Sequence, residues 1–122
     1  MLFAGAKLEF GTQPTPTALV ATVTLTITQL LTGIVTSTSA VAVSLTLPTG
    51  TLTDAGVAAP ALPVNGCFDW AIINTGTVSG AVALVAGTAH TIVGAAVVAI
   101  GTSAGFRTRK TAANTFVTYR LR

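Results

Sequence analysis

A chain of 122 residues is long enough to form one domain with a buried core, so its size alone does not require a partner. Its composition is unusual, because only 7% of the residues are charged, against about 25% in typical globular domains, and 51% are hydrophobic. A surface with so few charges favours burial against other protein. The single cysteine, Cys67, excludes an intrachain disulfide and a multi-cysteine metal site.

The N-terminal segment is predicted to be an extended arm. Lys7–Phe10 alternates charged and apolar residues, as a short strand would, and Gly11–Pro16 contains two prolines, which disfavour a helix. We therefore divide the chain into an arm, residues 1–17, and a single β domain, residues 18–122. Met1–Ala6 is too short an apolar stretch, and lacks the preceding basic region, to be a signal peptide.

Two segments in the first half of the domain alternate apolar and polar residues with a period of two, the pattern of a half-buried strand. They are Leu19–Gln29, in which threonines face the apolar residues, and Val41–Leu47, which ends at a turn beginning with Pro48. The turn signals between them predict a hairpin or an edge-to-edge return. Thr49–Pro63 is predicted to be a long connection.

The second half of the domain begins with the predicted strand Cys67–Asn74. Its alternation places Phe68, Trp70 and Ile72 on one face. Cys67 is interpreted as a small apolar core residue beside Phe68. Further predicted strands, separated by glycine-containing turns, are Ala81–Ala86, Thr91–Val93, Ala95–Ile100, Phe106–Lys110 and Thr115–Leu121.

The last two predicted strands form a hairpin around residues 111–114. In its second arm, Val117, Tyr119 and Leu121 are predicted to face the core. Altogether, about eight short strands with turn signals roughly every 8–12 residues predict an all-β fold, a compact antiparallel sandwich or barrel. No segment has the apolar stripe of an amphipathic helix.

Residues 80–101 allow a different interpretation, a membrane span, because this 22-residue stretch has no Asp, Glu, Lys or Arg. Its regularly spaced glycines would let transmembrane helices pack closely. However, its alanines and valines insert weakly compared with leucine, and His90 lies near its middle. We therefore favour short strands over a membrane helix here.

The chain offers few residues for catalysis. It has one histidine, one cysteine and three acidic residues. A nucleophile, a base and an orienting acid could be assigned to Cys67, His90 and Asp69. However, no catalytic motif surrounds these residues. We expect no enzymatic activity, no cofactor and no metal site. Instead, His90 is predicted to be a loop residue that opens a strand, and Asp69 to balance a C-terminal arginine.

Five of the six basic residues lie in the last sixteen positions: Arg107, Arg109, Lys110, Arg120 and Arg122. Clustered Lys and Arg are typical of phosphate binding, but arginine is also enriched in protein interfaces. The aromatic residues between these arginines alternate as they would in an ordinary core hairpin, rather than forming a stacking platform for bases. We predict that the five residues contact a protein partner, and we expect neither nucleic acid nor a membrane as partner.

Four stretches resemble small virion proteins of tailed bacteriophages, which include capsid decoration (cement) proteins: Phe68–Gly76, Ala86–Gly94, Phe106–Thr111 and Thr115–Arg120. The resemblance covers roughly the C-terminal half of the chain, as a pattern of strands and turns. It implies a non-enzymatic homotrimer on the capsid exterior that bridges neighbouring capsomers, with the major capsid protein and its own copies as partners. The alternatives are another phage structural component (tail, fibre or head spike) and a small membrane protein.

Overall fold

The structure, a computed structural model, describes residues 11–58 and 61–122. Within these ranges the chain forms two packed β-sheets and two short helices, so the predicted β-rich fold is confirmed. The strands are β1 (Thr17–Leu19), β2 (Val23–Thr24), β3 (Ile34–Ser37), β4 (Val43–Thr46), β5 (Cys67–Asn74), β6 (Val82–Val85), β7 (His90–Val93), β8 (Val97–Val98), β9 (Ser103–Ala112) and β10 (Thr115–Arg120). The helices are α1 (Ile27–Leu31) and α2 (Gly50–Gly56).

Successive strands alternate between the two sheets. The large sheet has six strands in the order β1-β3-β5-β9-β10-β7, and the small sheet has four in the order β2-β4-β6-β8. The chain crosses from one sheet to the other after each of the first eight strands. Only β10 follows directly on a strand of its own sheet, β9.

This crossing makes most neighbouring strands parallel, which corrects the predicted antiparallel arrangement. Five pairs are parallel: β1–β3, β3–β5, β2–β4, β4–β6 and β7–β10. Three are antiparallel: β5–β9, β6–β8 and β9–β10. The predicted hairpin between the first two patterned segments is wrong, because Val23 pairs with Leu45 in parallel. Parallel neighbours need a long crossover connection, and α1 and β3 supply it here.

The core lies between the sheets and is closed at one end by α1. The large sheet contributes two stacked rings, Trp70 and Phe106, whose centroids are 4.7 Å apart. The other apolar residues of this core are Val35, Ile72 and Ala104 of the large sheet, Val43, Leu45, Val82, Leu84 and Val98 of the small sheet, Ile27 and Leu30 of α1, and Leu25 and Leu47 outside these elements. The uncharged sequence thus fills a continuous apolar interior.

Two short helices lie in segments that were predicted to be a strand and a connection. Within the predicted strand Leu19–Gln29, the extended backbone ends at Thr26, which caps α1. The Thr26 hydroxyl accepts from the Gln29 N–H (3.2 Å), and the Gln29 side chain accepts from the Thr26 N–H (2.9 Å). This capping box satisfies two backbone donors that a helix start leaves free. In the predicted connection Thr49–Pro63, Thr49 caps α2 by accepting from the Leu52 N–H.

The strands of the second half agree better with prediction. β5 has the predicted bounds and the predicted inner face, and β9 and β10 form the predicted hairpin. The predicted faces of β10 are reversed, because Phe116 and Thr118 are buried whereas Val117 and Tyr119 lie on the outer side. Phe116 fills the interior, and the Thr118 hydroxyl finds two buried hydrogen-bond partners there.

Most of the predicted N-terminal arm, including Lys7–Phe10, lies outside the described residues. Residues 11–16 are exposed and form no strand. The Gln13 side chain donates to the backbone oxygen of Thr32 (2.5 Å), which fixes this segment beside the end of α1. The last residue assigned to the arm, Thr17, begins β1.

Asn74, at the end of β5, joins the two sheets by side-chain hydrogen bonds. Its amide nitrogen donates to the backbone oxygens of Gly80 (2.9 Å) and Val98 (3.0 Å), and its amide oxygen accepts from the Gly76 N–H (3.0 Å). The side chain is buried, so these backbone groups have no access to water as a substitute.

We predict that Asn74→Asp lowers the free energy of unfolding by roughly 2–4 kcal/mol, because two buried carbonyls lose their donor. Denaturant unfolding followed by circular dichroism measures the change. Asn65→Asp is the matched control, since it makes the same chemical change on an exposed side chain and is expected to leave stability nearly unchanged. Equal losses in the two variants would contradict this role for Asn74.

Candidate functional site

The five predicted partner-facing residues separate into two groups, because successive residues of a strand point to opposite sides of a sheet. Arg107 and Arg109 alternate with buried residues of β9 and lie on the outer face of the large sheet, away from the core. Arg122, just beyond β10, lies on the same outer face. Lys110 and Arg120 have the opposite orientation and bond to other parts of the chain.

Arg107 forms a bidentate ion pair with Asp69, its cross-strand neighbour on β5. Its Nε and Nη2 atoms donate to the two carboxylate oxygens at 2.7 and 3.0 Å, which confirms the prediction that Asp69 balances a C-terminal arginine. The hydrogen bond from Arg107 holds the pKa of Asp69 below its ordinary value, and the charge of Arg122 acts in the same direction. Both paired side chains are about half exposed, so solvent screens the pair.

Arg109 is held in place by neutral groups. Its Nε and Nη2 donate to the Tyr119 hydroxyl (3.1 and 2.8 Å), and its Nη1 donates to the side-chain oxygen of Asn65 (2.8 Å). These bonds fix the guanidinium without neutralising it. Asn65 has no functional signal in the sequence, and the predicted face of Tyr119 was wrong, because the cross-strand register that brings both residues to Arg109 is visible only in the fold.

Arg122 crosses over Gly105 on the same surface. A Cβ atom at Gly105 would lie 3.0 Å from the Arg122 guanidinium carbon, so the glycine leaves room for this side chain. Beside it is a depression of about 350 Å³, lined in part by Ile34, Ile73 and Ser103. This surface therefore combines a cation with a shallow apolar recess.

We refer to the surface formed by Arg107, Arg109, Arg122, Asp69 and Tyr119 as the arginine face. Three guanidinium groups and one carboxylate give it a net charge of +2, that is, 3 minus 1. Arginine presents planar donors that match carboxylate geometry, so this face is suited to an acidic partner.

Lys110 instead connects the C-terminal hairpin to α2. Its Nζ donates to the Asp54 carboxylate (2.9 Å) and to the backbone oxygen of Leu62 (3.2 Å), and only 14% of its side chain is exposed. The second oxygen of Asp54 accepts from the Asn114 N–H in the hairpin turn (2.8 Å). The bond from Lys110, followed by that from Asn114, lowers the pKa of Asp54.

Arg120 joins the two sheets. Its Nη1 donates to the backbone oxygens of Val97 (2.7 Å) and Ala95 (3.3 Å), at the β8 edge of the small sheet. Exposed edge carbonyls invite pairing with another strand. Arg120 therefore occupies backbone carbonyls that an added strand would need in order to pair with this edge.

The small sheet has an outer face of different chemistry. Its strands contain no charged residue, and its outward positions are occupied by Thr24, Ser44, Thr46, Ala83, Val85 and Val97. Val85 and Val97 are 40% and 54% exposed. We refer to this surface as the uncharged face.

The residues considered for nucleophilic catalysis are not brought together. Cys67 lies on the outer face of β5, whereas His90 is buried on the inner face of β7, and two strands separate β5 from β7. The interpretation of Cys67 as a core residue is wrong, because the larger Phe68 and Trp70 occupy the inner positions of β5. His90 opens β7 as predicted, but it lies in the interior rather than on a loop.

In the described ranges, no three His, Cys, Asp or Glu side chains are grouped as a metal would require. Residues 80–101, the segment considered as a membrane span, contain β6, β7 and β8. Across residues 11–58 and 61–122, none of the helices has the length and apolar character needed to span a bilayer.

Comparison of the chain with protein-family models, curated proteins and solved structures gives no match. The resemblance to phage decoration proteins therefore stays a prediction.

We predict that the two groups of basic residues respond differently to loss of charge. Lys110→Gln leaves the largely buried Asp54 carboxylate without a cation, and we expect it to lower the melting temperature by about 3–5 °C. Arg109→Gln removes a cation of the outer face that is bonded to neutral partners. We expect this variant to change the melting temperature by less than about 1 °C. Thermal denaturation of both variants tests this, and a larger effect of Arg109→Gln would contradict the assignment.

Proposed function

We propose that this protein is a structural virion protein that decorates and stabilises an icosahedral phage capsid, bridging neighbouring capsomers as a homotrimer. The observation that supports this most directly is the presence of two opposed outer faces, one with three arginines and one without charge. A decoration protein must contact its own copies and a different protein, and two chemically distinct surfaces suit those two tasks. The resemblance of the C-terminal half to such proteins points the same way.

The uncharged face is the better candidate for contact between copies. Copies that met through their arginine faces would bring like charges together, which is costly when the charges lose water. Copies that meet through the uncharged face instead bury Val85, Val97 and hydroxyl groups that can hydrogen-bond across the contact. Since Arg120 occupies carbonyls at the β8 edge, side-chain packing rather than strand addition is the expected mode at that edge.

The arginine face is then left for the shell. Arg109 is already oriented by Tyr119 and Asn65, so little side-chain entropy remains to be lost on binding. Arg122 lies beside the apolar recess, where a partner side chain can be buried next to an ion pair. We propose acidic loops of the major capsid protein as the matching surface.

We predict a trimer in solution that depends on the uncharged face. Val85→Asp and Val97→Asp would each place charges at the contact between copies, and we expect them to convert trimer to monomer in light-scattering measurements on size-exclusion peaks. Val78→Asp is the matched control, because Val78 is 81% exposed in a loop outside the small sheet. If the unmodified protein is a stable monomer, or if Val78→Asp dissociates the trimer equally, the assignment of this face is wrong.

We predict that the arginine face determines attachment to heads. Arg109→Gln and Arg122→Gln should each weaken binding to heads purified without this protein by roughly tenfold or more, about 1.4 kcal/mol, while the trimer stays intact. Arg109→Lys is the charge-conserving control, and an intermediate loss is expected because lysine cannot form the paired bonds of a guanidinium. Sedimentation of labelled protein with heads measures the binding.

The native Cys67 provides an independent readout of the same surface, since it is exposed and pairs across the strands with Arg109. Its reaction with a thiol reagent should be fast in the free trimer and slow once the trimer is bound to heads. Undiminished labelling on heads would place the shell contact elsewhere.

Two other results would support different functions. Attachment to tails or fibres instead of heads would support the alternative phage roles. Binding to DNA that depends steeply on salt and requires the same arginines would assign the arginine face to nucleic acid.

A further inference from the structure

A chain of buried hydrogen bonds crosses the inner side of the large sheet. Trp70 on β5 bonds through its indole nitrogen to the Thr108 hydroxyl on β9 (3.0 Å), which bonds to the Thr118 hydroxyl on β10 (2.8 Å). Thr118 in turn contacts Nε2 of His90 on β7 (2.7 Å), and Nδ1 of His90 contacts the backbone oxygen of Pro48 (2.9 Å). We refer to these five groups as the relay.

The chemistry of its two ends fixes the direction of every bond in the relay. The indole nitrogen of Trp70 can only donate, and the carbonyl of Pro48 can only accept. With one proton on each hydroxyl, all four bonds form and every proton has an acceptor only if Thr108 donates to Thr118, Thr118 donates to Nε2, and His90 has its proton on Nδ1. Every buried polar hydrogen of the relay is therefore satisfied only when the imidazole is neutral.

A second proton on His90 leaves one buried group without a partner. Nε2 would then donate to Thr118, and the bond between the Thr118 and Thr108 hydroxyls can use the proton of only one of them. The other hydroxyl proton would lose its acceptor in a region where His90, Thr108 and Thr118 are all fully buried. An unsatisfied buried donor and a buried charge are both costly.

Within residues 11–58 and 61–122, no charged group compensates the protonated ring. The charged or titratable groups on the elements around His90 are Asp54 on α2, Arg107, Arg109 and Lys110 on β9, and Tyr119 and Arg120 on β10. None of them bonds to His90, and the Asp54 carboxylate is already paired with Lys110. Burial lowers the pKa of His90, and the bond to Pro48 offsets this only in part.

The Pro48 end of the relay lies where α2 meets β7. Pro48 precedes the Thr49 cap of α2, and the Gly50 N–H donates to the backbone oxygen of Thr88 just before β7 (2.8 Å). A Cβ atom at Gly50 would lie 2.7 Å from the backbone oxygen of Ala89, so the two segments are in close contact. The bond from His90 to Pro48 is part of this junction.

We propose that the relay is an acid-sensitive switch: uptake of one proton by His90 leaves one of its buried hydroxyl protons without an acceptor, next to the junction of α2 with β7, and alters the surroundings of Trp70 across four strands. This inference does not depend on the virion role. Below pH 6.5, the unfolded chain binds a proton at its histidine more readily than the folded chain, so the folded state loses stability as the pH falls. The loss occurs above the range in which Asp54 and Asp69, with pKa values lowered from 3.8, take up protons.

The chain has one histidine and one tryptophan, so both ends of the relay can be observed without labelling. NMR would follow the imidazole protons of His90 and the indole N–H of Trp70 from pH 8 to 4.5, together with denaturant unfolding at each pH. We expect His90 to titrate below pH 6.5, with the indole resonance shifting in the same step. The folding equilibrium constant should fall by up to about tenfold per pH unit below 6.5.

Three variants separate the switch from a purely structural role. Thr118→Val removes the hydroxyl between the two ends of the relay, so His90 should still titrate while the indole resonance of Trp70 no longer shifts with that titration. Thr118→Ser keeps a hydroxyl at this position and should restore the shift of the indole resonance. In His90→Gln the pH dependence of stability between pH 6.5 and 4.5 should disappear, whatever its stability at pH 8. An ordinary His90 titration near pH 6.5 with unchanged stability, or a Trp70 response that persists in Thr118→Val, would overturn the proposal.

Discussion

The antiparallel register of β5 with β9 is the constraint on which the rest of the structure depends. It places Trp70 opposite Phe106, and their stacked rings occupy the centre of the core. Because side chains alternate along both strands, the same register places Asp69 opposite Arg107 on the outer side. The core and the arginine face are thus two consequences of one pairing, and a slip of one residue would bury the charges and expose the rings.

Threonine allows a chain with so few charges to satisfy its polar groups. Thr26 and Thr49 cap the two helices, where their hydroxyls accept from backbone N–H groups. Thr108 and Thr118 are fully buried and form the middle of the relay, and Thr24 is exposed on the uncharged face. One residue type therefore acts as helix cap, internal hydrogen-bonding group and neutral surface, roles that elsewhere are often filled by charged residues.

Sequence alone allowed β5 and the terminal hairpin to be predicted, because in both segments the alternation is long and ends at clear turn residues. The faces of β10 were not predictable from hydrophobicity, since Val117 and Tyr119 are hydrophobic residues like Phe116. The inner face of β10 is decided by the hydrogen bonds of Thr118 to groups on two other strands.

The direction of strand pairing was also not visible in the sequence. A turn signal marks where a strand ends, but not whether the chain then folds back or crosses to the other sheet. For α1 a signal was present, because the spacing of Thr26 and Gln29 is that of a capping box. This capping preference outweighed the strand preference of the β-branched residues around it.

The candidate site was only partly visible in the sequence for a related reason. The cluster of basic residues is evident from composition, but its division into outer-face residues and internal links depends on the side of the sheet to which each residue points. On β9 this division separates consecutive residues. Thr108, in the middle of the relay, lies between Arg107 and Arg109, so the same short stretch of backbone positions the internal hydroxyl and both guanidinium groups. The inner relay and the outer arginine face therefore share one stretch of β9, because alternation along a strand directs neighbouring side chains to opposite sides of the sheet.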